Sequence, residues 1–172
     1  MSKKNKTPDL PMKWYFALIY FFIPLDLLSD VIHIIRAVVR LFTGNIQGFF
    51  MAGNTPLPIT PPFIIRLAYN EVISLACMVL LLIAWIHLLK RKSNGPKLFL
   101  IQLLIALADI PATILHYLLI KPYVQANALA GTGDLVYYIS LGIVLVGVNG
   151  TLLLLFFLNR LYFKKRTYYF YR

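Results

Sequence analysis

Three carboxylates, Asp26, Glu71 and Asp109, lie inside otherwise apolar stretches of this chain. An ionisable side chain in apolar surroundings is expensive to keep, and such groups mark ion pathways, proton relays or interhelical hydrogen bonds. Two amides, Asn70 and Asn149, lie in similar stretches, and Tyr69 and Tyr117 offer hydroxyls nearby. Asp109 also precedes Pro111. A proline has no N–H, so it frees a carbonyl one turn back and can kink its helix. An acid beside a broken helix is an arrangement found at transport sites. A second set, Asp30, His33, Arg66 and His116, suggests a polar rim.

Other chemistries find no footing. The chain has no P-loop, no GxSxG elbow, no HExxH and no polar setting for its one cysteine, Cys77. A lone cysteine excludes an intrachain disulfide, a CxxC redox pair and a cysteine-ligated zinc site. His87 and His116 fall at opposite ends of successive apolar runs, about 20 Å or more apart at 1.5 Å per residue, too far to clamp one haem. Asp30, His33 and His116 lack close metal-ligand spacing. The sequence therefore implies no cofactor, no metal and no catalytic residue, and it points away from an enzyme.

The elements that must position these groups follow from composition. The 172 residues are 60% hydrophobic, 15% aromatic and 13% charged, with a mean hydropathy of +0.75. Soluble domains run near 45–50% apolar and about 25% charged. A water-soluble fold cannot hide this excess, so the expected fold is all-α, an integral membrane bundle of four transmembrane helices. A span needs about 20 mostly apolar residues. Four stretches qualify, at about 14–35, 64–89, 98–119 and 135–159, with Gly44, Gly53-Asn54, Asn94-Gly95-Pro96, Gly131 and Gly133 between them. The first apolar run follows Lys3, Lys4 and Lys6 as in a signal peptide. Asp26-Leu27-Leu28 stands where a small-residue cleavage site would be, so a retained anchor is expected. Beyond Pro24 this helix turns mixed, with Asp26, Asp30, His33, Arg36 and Arg40 on one face. It either projects past the membrane or bends near Pro24 and lies along the outer surface, and the second is favoured.

The net charge of +11 invites a nucleic-acid reading, but the positions of the cations argue against it. Thirteen of the 17 Lys and Arg residues fall in three places: Lys3, Lys4, Lys6 and Lys13; Lys90, Arg91, Lys92 and Lys97; Arg160, Lys164, Lys165, Arg166 and Arg172. With four spans these share one side, which the bias makes cytoplasmic. Segment 1–13 is then a basic cytoplasmic tail and 160–172 a basic-aromatic one, both suited to anionic lipid headgroups. The 44–63 segment is a proline-rich outer loop, whose Thr55–Pro62 stretch should be stiff and polyproline-like.

Counting along the helices puts Asp26, Asp109 and Glu71 about 16–20 Å from the boundary, in one layer near the midplane. Together with Asn70 and Asn149 they form a candidate intramembrane polar cluster, serving either as interhelical glue or as a proton or cation site. Ala108 with Ala112, and Gly147 with Thr151, have the small-residue spacing of tight helix contacts.

Pro24 in the first span, Asn70-Glu71 opening the second and the Leu88-Leu-Lys-Arg-Lys…Pro96-Lys-Leu linker give the chain a family likeness. It resembles a small bacterial inner-membrane family of unknown function typified by YdgK, over roughly residues 64–120. That resemblance implies a four-span layout in a bacterial cytoplasmic membrane and no known activity. In layout alone the chain is also similar to immunity proteins against pore-forming bacteriocins, which bind toxin helices and catalyse nothing. The function expected is a non-enzymatic membrane protein acting through intramembrane helix contacts, with a membrane-protein partner or a second copy. The alternative is a small oligomeric transporter or ion-coupled carrier using the midplane acids.

Overall fold

The computed structural model describes residues 12–49, 51–52, 55–127 and 133–170. Four helices carry the fold: α1 (Lys13–Phe42), α2 (Pro61–Leu89), α3 (Asn94–Tyr123) and α4 (Tyr137–Lys164). Each is 28 to 30 residues long and apolar enough to cross a membrane. At 1.5 Å per residue they reach about 42–45 Å, beyond the roughly 30 Å hydrocarbon core.

Local sequence explains the ends and the irregularities. Pro61 and Pro62 open α2, where a missing N–H has no helical partner to lose. Gly44, with φ of 68°, follows the end of α1. The α2–α3 turn is tight, with Arg91 at φ 52°. A Cβ on Gly95 would lie 2.8 Å from the Leu88 nitrogen, so only glycine lets these two helices meet so closely.

α1 is continuous through Pro24 and runs on to Phe42. The adjustment comes one turn earlier, where Leu18–Phe22 widen into a π-helical turn. In α3 a 3-10 turn at Leu107–Asp109 precedes Pro111. In α4 a π-helical stretch covers Ile143–Val148.

Apolar packing concentrates toward the two ends of the bundle. Tyr15, Ile19, Leu81, Leu88, Phe99 and Phe163 belong to the main cluster, joined by half-buried Tyr169 and Phe170. The rings of Tyr169 and Phe170 meet Tyr15 edge-on, at 5.3 and 5.6 Å between centroids. Arg91 lies over the Tyr169 ring at 4.5 Å. The described part of the basic-aromatic tail thus folds onto the bundle end, and its residues 160–164 are the last turn of α4. At the other end Leu57, Phe63 and Ile120 form a smaller cluster. The proline-rich loop carries a short antiparallel pair there, β1 (Met51–Ala52) with β2 (Thr55–Pro56), Met51 opposite Pro56 and Ala52 opposite Thr55. Thr55 and Pro56 are therefore paired strand rather than the start of a polyproline segment.

Candidate functional site

Between these two packed ends the helices enclose polar groups, and most of the donors are spent on backbone. In the π-helical turn of α1 the Ile23 N–H reaches back to the Leu18 carbonyl. The next donor in that pattern would be residue 24, and proline has none to give to Ile19. The Trp85 indole on α2 supplies it, donating to the Ile19 oxygen at 2.7 Å. The same device recurs in α3. The Ile110 N–H bonds to Leu107 in the 3-10 turn, so the donor due to Ala108 would come from Pro111. The Tyr69 hydroxyl on α2 donates to the Ala108 oxygen instead, at 2.8 Å. Two prolines thus expose two carbonyls, and α2 covers both.

A third connection ties α1 to α4. Asn159 is 1% exposed; its Oδ1 accepts from Trp14 Nε1 at 3.0 Å and its Nδ2 donates to Leu155 at 2.8 Å. Nearby, the Tyr15 hydroxyl donates to the Leu88 carbonyl. The Tyr15 N–H donates to the Tyr162 hydroxyl at 3.1 Å.

The groups left over line two cavities that share Ser29. A polar cavity of about 340 Å³ between α1, α2 and α3 is lined by Asp30, His33, Asn70, Ser74, Cys77 and Asp109, among others. One Asp109 oxygen accepts from Thr113 at 3.1 Å; the other, Oδ1, is buried without a hydrogen-bond partner. A larger, mostly apolar cavity of about 590 Å³ lies between α1, α3 and α4 and contains Asp26 and Gln102.

The expected midplane cluster is therefore divided. Asn70 and Asp109 come together, with Asp30 and His33 from the expected rim. Asp26 faces the neighbouring cavity, and Glu71 lines neither. Asn149 donates to Val144 of its own helix at 3.3 Å. Arg66 lines a groove with Tyr69, Pro111 and Ala112. His116 stacks edge-on against its neighbour Tyr117 and has a buried Nδ1 with no partner. Of the small-residue pairs, Ala112 is buried and Ala108 meets Tyr69 across the α2–α3 contact. Gly147 and Thr151 are exposed, and the Thr151 hydroxyl turns back to the Gly147 carbonyl. Among the described residues no group of three or more His, Cys, Asp or Glu is arranged to hold a metal ion.

Gln102 and Trp85 were not singled out from sequence. Gln102 is an amide in an apolar helix, the same signal that marked Asn70 and Asn149, and could have been found that way. The partner of Trp85 depends on the register change at Leu18–Phe22, which residue types do not announce.

Comparison with known proteins returns no matching family model, no matching curated protein and no matching solved structure.

Proposed function

We propose that this chain is a non-enzymatic integral membrane protein that binds another membrane helix through the outer half of α1. One observation carries the reading: every residue from Val31 to Phe42 is exposed except the half-buried Ala37. The segment combines apolar Ile32, Ile35, Val39 and Leu41 with a stripe of His33, Arg36 and Arg40. His33 lines the polar cavity and Arg40 lies over the Phe49 ring at 5.5 Å, so Arg36, near the outer boundary, is the cation of the stripe that a partner would pair. A partner helix offering acceptors or carboxylates covers it. The layout shared with immunity-type binders and with accessory subunits fits this role.

In the same reading the basic end faces the cytoplasm. Lys13, the Lys90–Lys92 turn, Lys97, Arg160 and Lys164–Arg166 gather where Trp14 meets Asn159 and Tyr15 meets Leu88. Cations on one side of a multi-span protein set that side as cytoplasmic. If the membrane is bacterial, this is the inner face of the cytoplasmic membrane, where anionic headgroups meet the cations.

The test is photo-crosslinking in native membranes with benzoylphenylalanine at Ile35, compared with the same probe at exposed Leu153 on α4. The expected result is one protein adduct of defined mass at Ile35 that Arg36→Leu abolishes. Identical, lipid-only labelling at both positions sinks the reading.

A second reading is favoured by one observation, the unpartnered Asp109 Oδ1 beside Asp30, His33 and Asn70. Such a cavity suits a proton or small cation in an ion-coupled carrier. Four helices rarely enclose a pathway, so a carrier would be an oligomer. Proteoliposome flux that Asp109→Asn abolishes, in a folded protein, would transfer the assignment to this class.

A further inference from the structure

We propose that the 590 Å³ cavity between α1, α3 and α4 is a binding site for a lipophilic organic ammonium ion, held by Asp26 and Gln102. Its volume lies within the roughly 300–1,000 Å³ of small-molecule sites. Its walls are largely apolar, from Leu18, Phe22, Phe99, Leu103 and Leu152. Among the lining residues Asp26 alone is ionisable, and none is Lys or Arg. Gln102 is 7% exposed, and its Oε1 has no hydrogen-bond partner. A buried acceptor left unmatched is costly, so the site asks for a donor. Asn159, at the Trp14 end, has both amide atoms engaged and does not compete.

The required ligand chemistry follows from these groups. Asp26 asks for a positive charge, Gln102 for an N–H, and the walls for hydrocarbon. A hydrated inorganic cation supplies the charge and, through its waters, a donor, but it meets no demand of the walls and finds too few polar partners along them. An ammonium bearing an alkyl or aryl body meets all three, donating N–H bonds to the carboxylate and to the amide oxygen. Charge-assisted bonds of that kind are the stronger class. This inference does not depend on the α1 surface proposed above, because the α1 residues that line the cavity lie between Trp14 and Ser29 and none belongs to the Val31–Phe42 segment.

The experiment is calorimetric titration of n-octylammonium into the full chain in phosphatidylcholine nanodiscs, with empty discs as the blank and 1-octanol as the uncharged probe. Wild type should show one saturable site for octylammonium and only partitioning for octanol. Asp26→Asn should weaken octylammonium at least about tenfold, or about 1.4 kcal/mol, and Gln102→Leu should weaken it less. Leu152→Trp should fill the cavity and abolish binding, while Leu153→Trp at the exposed neighbouring position should leave it unchanged. The tryptophan pair keeps the test decisive even where Asp26→Asn fails to fold. Octanol binding as tightly as octylammonium, or Leu152→Trp binding like wild type, overturns the proposal. A failed crosslink at Ile35 leaves this experiment untouched, so the two readings fall separately.

Discussion

The Trp85 indole donates to the Ile19 carbonyl at 2.7 Å, and that carbonyl is the one Pro24 leaves without an intrahelical donor. In the membrane placement proposed above, the bond matters because no water reaches hydrocarbon depth to replace it. Trp85→Phe keeps most of the ring bulk and removes only the donor. It should cost about 1–2 kcal/mol, seen as a fall in melting temperature of roughly 2–4 °C per kcal/mol in detergent. The cycle with Pro24→Ala is the sharper measurement. Alanine restores an N–H near Ile19 and lets the π-helical turn relax, so the two changes together should cost less than their sum. Strict additivity would mean that proline and indole are unrelated.

The α2–α3 turn makes a second prediction, from space rather than hydrogen bonds. A Cβ on Gly95 would lie 2.8 Å from the Leu88 nitrogen and 3.0 Å from the His87 carbonyl carbon. Backbone cannot step aside as a side chain can, so Gly95→Ala should destabilise by about 1–3 kcal/mol. Gly142 provides the control, since a Cβ there meets nothing within 4 Å. Gly142→Ala, in mid-helix, should be neutral or stabilise by up to about 1 kcal/mol. Fluorescence-detected size exclusion after heating separates the two variants, and equal melting of both contradicts the packing described.

How far the sequence carried is clearest at Asn70 and Glu71. Hydropathy and breaker residues located all four helices, because apolar runs of 20 or more residues allow little else. Counting residues along a helix then gave depth, and depth placed Glu71 with Asp109. It does not give azimuth. Adjacent residues on an α-helix point about 100° apart, so Asn70 and Glu71 at one depth need not share a neighbour: Asn70 lines the Asp109 cavity and Glu71 does not. Asp26 and Asp30 differ by one turn and still line different cavities, because α3 borders both while α4 closes one and α2 the other. Pro111 was legible as a source of a free carbonyl, but its acceptance of Tyr69 rather than a carboxylate required the 3-10 register. The exposure of α1 beyond Val31 was not legible either. The amphipathic pattern was visible, yet whether the polar stripe met this bundle or something else is a property of packing.

Orientation gives a third prediction. In a Cys77→Ser background, single cysteines at Lys92 and at Thr43 report the two ends of the bundle. Both positions are exposed, so access to a membrane-impermeant maleimide depends on the side alone. Intact cells should label Thr43→Cys, and Lys92→Cys should label only after the membrane is opened. The reverse pattern would place the basic end outside and remove the charge argument for the topology.

The last prediction concerns Asn159 and Trp14, where the two partners of one bond are not equivalent. Asn159 is 1% exposed and Trp14 is 37% exposed, near the basic end. Removing the indole donor with Trp14→Phe leaves the buried Asn159 Oδ1 without its donor, which should cost about 1–3 kcal/mol. Removing the amide with Asn159→Leu strands only the Trp14 N–H, and a half-exposed indole near the bundle end can turn toward interfacial water or headgroups. Leucine also matches the branching of asparagine, so Asn159→Leu should be close to neutral. Adding Trp14→Phe to Asn159→Leu should then cost little, because the orphaned acceptor is gone. Thermal melting of the three variants in one detergent tests the asymmetry. Asn159→Leu melting well below Trp14→Phe would show that the amide serves a purpose beyond this bond, and its position at the end of the Asp26 cavity is where that purpose would be sought.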